Sequence, residues 1–253
     1  MDLVADVGNT RAHLALFEGE RLLARADVPH RLAPPDRQRA FAALLEGRPA
    51  PRRFALGSVN RRGRGLLEDW VRASFGLEPW ILRQTLPDPL PLDVDAPEQV
   101  GADRVANATW AAHAHPGVDV VVIDLGTAIT FDVVSRAGVF LGGAIAPGLG
   151  AAARALARGA ELLPEVNLRD DERPPALGKT TEQCLRSGLF YGSVGLIEAT
   201  LARLREELGA RPRAVATGGD APRVAPHCPS VDEVVPDVTL RGLHRALEVC
   251  ECA

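Results

Sequence analysis

Two short segments of this 253-residue chain end an apolar run with an aspartate and place a glycine two residues later. The first is Asp6-Val7-Gly8-Asn9-Thr10, and the second is Asp124-Leu125-Gly126-Thr127. A glycine in a tight turn lets backbone N–H groups approach an anion, and Asn and Thr add side-chain donors. An aspartate at the end of the preceding strand is placed to hold Mg²⁺, directly or through water. A plain hairpin would use Gly and Asn at the same positions. The repetition shifts the balance, because two such devices facing each other can clamp a polyphosphate and its metal.

A further segment, Gly101-Ala102-Asp103-Arg104, suits transfer of a phosphoryl group to a hydroxyl. That chemistry needs a carboxylate to orient the hydroxyl and accept its proton, with cations nearby to hold anionic oxygens. Asp103 beside Arg104 at a helix start supplies both. An arginine also grips a carboxylate through two parallel hydrogen bonds. On its own the pair equally fits an ordinary helix N-terminus with a solvated arginine. The last segment, Thr217-Gly218-Gly219-Asp220, follows a short apolar strand. Paired glycines leave room for a flat ring against the backbone, although a simple turn has the same sequence.

The elements that must position these residues are legible as an internal repeat. Residues 3–19 read LVADVGNTRAHLALFEG and residues 121–138 read VVIDLGTAITFDVVSRAG. Each is strand, tight turn, strand, second turn at Gly19 or Gly138, then strand. Two copies half a chain apart predict two similar lobes facing each other, with a boundary between residues 1–117 and 118–253. Between the copies, residues 37–47 and 65–75 have helical spacing and residues 55–59 form a short buried strand. Pro87, Pro89, Pro91 and Pro97 mark an extended linker. A helix runs from near Gly101 through His113. Further helices cover 149–162, 181–208 with a break near Gly188 or Gly192, and 240–249, and a last strand covers 213–217. Strands alternate with helices, so the fold class is α/β.

Other phosphate-binding devices are excluded. Lys179 is the only lysine and lies in Gly178-Lys179-Thr180, but Arg173 stands where a P-loop requires glycine. Neither a protein-kinase signature nor a G-x-G-x-x-G after the first strand is present. The composition is 46% apolar and 25% charged, with a net charge of -4. The only basic cluster, Arg61, Arg62 and Arg64, is too short for a nucleic-acid footprint. No apolar run is long enough to span a bilayer, and the chain opens on a strand without a signal layout. Cys184, Cys228, Cys250 and Cys252 form no Cys-x-x-Cys pair, which fits reduced thiols. A cytoplasmic protein is expected. His113 and His115 are two apart and cannot share a helical face, so exposed histidines are expected there rather than a metal site.

The motifs DVGNT, GADR, DLGTAITFD, GGAIAPG, GKTT and TGGD occur in that order over roughly residues 2–220. In this combination the chain resembles the type III pantothenate kinase family of the actin–hexokinase superfamily. The resemblance implies two actin/hexokinase-like (ribonuclease H-like) lobes with a nucleotide cleft between them. It implies ATP-dependent phosphorylation of pantothenate, the first step towards coenzyme A. It assigns Asp6, Val7, Gly8, Asn9, Thr10, Arg11, Ala12, His13 and Thr127 to ATP, and Gly101, Ala102, Asp103 and Arg104 to pantothenate, with Asp103 as proton acceptor. It gives Asp124 a monovalent cation, K⁺ or NH₄⁺, and makes Asp6 a candidate ligand of the Mg²⁺ that accompanies ATP. It puts the loop at 217–220 near adenine. It implies a homodimer in which Thr181, the second threonine of GKTT, touches the neighbouring subunit's substrate. The family has a tyrosine three residues before the proline that precedes its G-x-D-R motif; here that proline is Pro97 and the position holds Val94.

Two other functions share this fold: a non-catalytic accessory or regulatory paralogue, and another kinase or a phosphatase. The presence of Asp6, Asp103 and Asp124 together weighs against the first, because a binding module has no chemical need for all three. The GADR and GKTT pair weighs against the second.

Overall fold

The structure is a computed structural model that describes residues 1–58, 60–168 and 173–251. Val59, at the end of the expected strand 55–59, and Cys252 lie outside the described residues, as do the side chains of Arg61 and Arg62. The chain forms two units, Met1–Ala114 with Val238–Ala253, and His115–Asp237.

In the first unit, β1 (Asp2–Val7), β2 (Arg11–Glu18) and β3 (Arg21–Pro29) make an antiparallel meander. The chain continues through α1 (Pro34–Leu45), β4 (Arg53–Ser58), α2 (Arg61–Phe75) and β5 (Trp80–Ile81). Strands β4 and β5 add in parallel, giving the sheet order β3-β2-β1-β4-β5. Side chains alternate along a strand, so β1 presents two different faces. Leu3, Ala5 and Val7 enter an apolar cluster with Leu14, Phe54 and Leu56 of the sheet, Phe41 of α1, and Leu67 and Val71 of α2. The opposite face carries Asp2, Val4 and Asp6. Helix α2 is started by Asn60, whose side chain accepts from the Gly63 N–H at 3.0 Å, and stopped by Gly76 in the left-handed region. An irregular proline-rich stretch and a 3₁₀ turn at Pro97–Gln99 then lead into α3 (Ala102–Ala114).

The second unit repeats the plan with β6 (Val120–Leu125), β7 (Ala128–Val134), β8 (Phe140–Pro147), α4 (Leu149–Gly159), α5 (Thr181–Leu208), β9 (Arg213–Thr217), α6 (Ala221–Val224) and β10 (Glu233–Val234). Its sheet order, β8-β7-β6-β9-β10, is the same as that of the first sheet, with the same mixture of antiparallel and parallel neighbours. The two meanders expected from the repeat are therefore present. Val121, Ile123 and Leu125 pack with Phe190, Ile197 and Leu201 of α5. Helix α5 runs unbroken for 28 residues, contrary to the expected interruption near Gly188 or Gly192. A helical glycine costs about 1 kcal/mol relative to alanine. Here Gly188, Gly192 and Gly195 lie on the exposed side while the buried apolar side holds the helix to the sheet.

The last helix, α7 (Val238–Glu251), packs on the first unit against α3, β1 and β4. The Thr239 hydroxyl donates to Asn107 of α3 at 2.8 Å. Helices α3 and α7 thus cover the sheet face that carries Asp2 and Asp6.

Candidate active site

The turn between β1 and β2 is closed by the Gly8 N–H, which donates to the Arg11 carbonyl at 3.1 Å. Asn9 and Thr10 stand exposed at its tip, Val7 and Ala12 are buried beneath it, and Asp6 is half-buried. Asp6 is flanked in register by His13 on β2 and Gly57 on β4. A Cβ placed on Gly57 would lie 3.7 Å from the Ala102 Cβ. The first turn of α3, with Asp103 and Arg104, is therefore laid over the strand position next to Asp6. The Asp103 carboxylate accepts the Arg104 N–H at 2.9 Å, and both side chains are half-buried. Gly101 contributes its carbonyl to the first helical bond, from the Val105 N–H at 3.1 Å. Val94 is half-buried in the stretch ahead of the 3₁₀ turn.

Two neighbours of this turn carry no sequence signal. His30 sets its Nε2 2.8 Å from the Gly8 carbonyl, and its backbone N–H donates to the Thr10 carbonyl at 3.0 Å. Asp27 sits opposite His13, with Oδ1 2.6 Å from the His13 Nδ1, and accepts from Arg25 at 2.8 Å. Burial raises the Asp27 carboxyl, but the bonds from His13 and Arg25 outweigh it and bring the group below the usual carboxylate range.

In the second unit the equivalent turn is closed by the Gly126 N–H, which donates to the Ala128 carbonyl at 2.9 Å. Asp124 is half-buried and Thr127 exposed. Two other glycine motifs pack directly on this turn. Gly148, the last residue of GGAIAPG, caps α4 and donates its N–H to the Thr127 carbonyl at 3.1 Å. A Cβ there would collide with the Gly126 carbonyl and lie 2.7 Å from that of Thr127. Gly218 has φ 93°, and a Cβ on it would overlap the Asp124 carboxylate and lie 2.6 Å from the Leu125 carbonyl. The Asp220 N–H donates to that same Leu125 carbonyl at 3.0 Å. Three motifs far apart in sequence thus meet at the Asp124–Thr127 turn. Asp220 also lines a cavity of about 560 Å³ with Leu149, Arg154, Glu165 and Asn167.

GKTT has a local structural role as well. Thr180 caps α5 by accepting from the Gln183 N–H at 3.2 Å, and Gln183 accepts from the Lys179 N–H at 2.8 Å. Thr181 opens the helix, exposed, and lines an apolar groove of about 320 Å³ with Leu156, Leu163, Cys184, Leu185 and Leu189.

Among the described residues no three His, Cys, Asp or Glu side chains are grouped to hold a metal ion. His113 is exposed as expected, but His115 is not: its side chain is 17% exposed, 3.5 Å from Glu233, and burial lowers its pKa. The described cysteines are free thiols, and burial pushes Cys228 up to about 11. No described helix is long and apolar enough to cross a membrane.

Solved structures share this architecture. A ROK family glucokinase from Streptomyces griseus, in complex with glucose and AMPPNP, superposes with a TM-score of 0.55 at 14% identity, covering 100% of this chain and 99% of that one. At that identity the likeness shows the fold alone: two α/β units, each built on a five-stranded mixed sheet. The sequence matches the family model of type III pantothenate kinases over residues 2–203. A type III pantothenate kinase of Dehalococcoides mccartyi (strain CBDB1) is 34% identical over 252 residues, 95% of this chain and 93% of that protein. One of Roseiflexus sp. (strain RS-1) is 38% identical over 266 residues, 98% and 99% of the two. The chain belongs to the type III pantothenate kinase family.

Proposed function

We propose that the chain transfers the γ-phosphoryl group of ATP to the primary hydroxyl of pantothenate, the first step of coenzyme A biosynthesis. Family membership over nearly the whole chain carries this reading, together with the Asp103–Arg104 pair opening α3 over Gly57, the strand position next to Asp6. Asp103 accepts the proton of the attacking hydroxyl. Arg104 holds the substrate carboxylate in bidentate fashion, with Gly101 and Ala102 in the same pocket. The 6–13 hairpin receives the ATP phosphates on its N–H groups and polar side chains, and Thr127 adds a contact from the second hairpin.

The Mg²⁺ that accompanies ATP would, when bound, neutralise charge that develops during transfer. Asp6 would be its candidate protein ligand, which suits an ion held mainly by phosphates and water rather than by an all-protein cage. Asp124 with the neighbouring Leu125 carbonyl is an oxygen set suited to K⁺ or NH₄⁺. A homodimer is supported by the exposed glycine side of α5, beside the apolar groove at Thr181 and by Leu162 and Leu177, exposed at 90% and 79%. The cytoplasm, with its ATP and reducing conditions, fits the free thiols.

A coupled assay of ADP release with and without pantothenate tests the activity. Turnover strictly dependent on pantothenate is expected, and ATP hydrolysis indifferent to it sinks the proposal. A fully active monomer by light scattering would remove the dimer and leave the chemistry standing.

A further inference from the structure

Arg83 occupies a backbone conformation that an arginine avoids. Its φ is 69°, in the left-handed region that favours glycine. The turn that holds it is over-determined. The Ile81 carbonyl accepts from the N–H groups of Gln84, Thr85 and Leu86, the Arg83 N–H donates to Leu86 at 2.8 Å, and Leu82 N–H reaches back to Leu56 of β4 at 2.9 Å. Strain maintained by its surroundings marks a place where the aim of a side chain matters.

That side chain is 14% exposed and reaches two partners. Its guanidinium donates to both oxygens of Asp88, at 2.9 and 3.4 Å. Its Nη1 donates to the carbonyl of Val100. Val100 is the residue before Gly101, and its peptide group sets the direction in which the chain enters α3. Asp88 fixes the guanidinium plane, and the guanidinium fixes the Val100 carbonyl.

We propose that Arg83 is a positioning residue for the Gly101–Arg104 segment: through Val100 it holds Asp103 and Arg104 in the geometry needed for the hydroxyl-bearing, carboxylate-bearing substrate. This rests on the reading of that segment as the pantothenate site. Arg83 touches no reacting atom in this role. A glycine at 83 would accept the backbone conformation while removing the side chain and its guanidinium, so folding and positioning can be separated by measuring Tm beside kinetics.

The experiment compares Arg83→Gly, Arg83→Lys, Asp88→Asn and the Arg83→Gly/Asp88→Asn double variant with wild type and Asp103→Asn, measuring kinetics for pantothenate and ATP separately, and Tm. Misplacing reacting groups by about 1 Å costs about 10²-fold. Arg83→Gly should therefore lose about 10- to 100-fold in kcat/KM for pantothenate, with the KM for ATP little changed and Tm at or above wild type. Lysine keeps the charge without the fork and should recover part of the loss. Asp88→Asn should show a smaller loss of the same kind, and the double variant should be no worse than Arg83→Gly. Arg83→Gly within about twofold of wild type for pantothenate overturns the proposal. So does a loss shared equally by ATP and pantothenate, or one accompanied by a fall in Tm of more than about 4 °C. If Asp103→Asn is also indifferent to pantothenate, the reading of the segment itself has failed; if Asp103→Asn is inactive while Arg83→Gly is normal, only the role of Arg83 has.

Discussion

The Nε2 of His244 lies 3.0 Å from Oδ2 of Asp2, tying α7 to the first strand. The same carboxylate accepts Arg53 of β4, with Nε at 2.7 Å from Oδ1, and the His244 ring stacks on Phe17 at 4.3 Å between centroids. His244 and Asp2 are almost fully buried. Burial raises the Asp2 carboxyl, but the bonds from His244 and Arg53 dominate and hold it far below the usual carboxylate range.

A depressed carboxyl pKa contributes stability above the unfolded value, near 3.9, that is lost as pH falls towards the folded one. Asp2→Asn should therefore cost about 1–3 kcal/mol near neutral pH, by leaving buried His244 and partly exposed Arg53 without their charged acceptor. The deficit should narrow below about pH 4, where the carboxyl of the unfolded wild-type chain takes up its proton while the folded one still resists it. Urea melts of both proteins across this range check the sign; a deficit that grows on acidification would contradict it.

Asp103→Asn keeps the shape of the side chain and removes its basicity. The kcat should fall by about 10²–10⁴-fold while nucleotide still binds. Arg104→Ala should instead raise the KM for pantothenate, because it deletes a ground-state contact. Steady-state kinetics on both separate the roles. More than about a tenth of wild-type kcat in Asp103→Asn would move the base elsewhere, to Asp6 or Asp124.

Gly148→Ala drives a methyl group into the Gly126–Thr127 turn. The turn must shift, and about 10- to 100-fold in kcat/KM should go with it. Gly159→Ala, where a Cβ meets nothing within 4 Å, is the control and should keep full activity. Equal activity in the two variants would show that the turn adapts freely.

Chelation of Mg²⁺ should abolish turnover, since the developing charge is then uncompensated. Exchange of K⁺ for Na⁺ should slow the wild-type enzyme, and Asp124→Asn should be slow in both salts. An Asp124→Asn variant that still responds to K⁺ would place the monovalent site away from this carboxylate.

The two hairpins were legible because their signal is local. Asp6 with Gly8 and Asp124 with Gly126 carry strand alternation and turn chemistry within a few residues, and the two sheets followed from their repetition. Glycine misled in α5, where composition suggested a break; Phe190, Ile197 and Leu201 supply tertiary packing that propensity does not include. The supports of the site were not legible. His30 reaches Gly8 across 22 positions, and Arg83 takes a conformation for which the sequence pattern would ask for glycine. The partnership of His244 with Asp2 spans 242 positions and leaves no periodic trace.

That last separation bears on how the chain is made. Residues 238–251 leave the ribosome only after every residue of the second unit, yet they cover the sheet face that carries Asp2 and Asp6. While the polypeptide is emerging, the first sheet waits with that face covered by α3 alone. The second unit, drawn from one continuous stretch, can close as it is synthesised. The first half to be translated is therefore the last to be finished, and the Asp6 end of β1 reaches its final packing only when α7 docks.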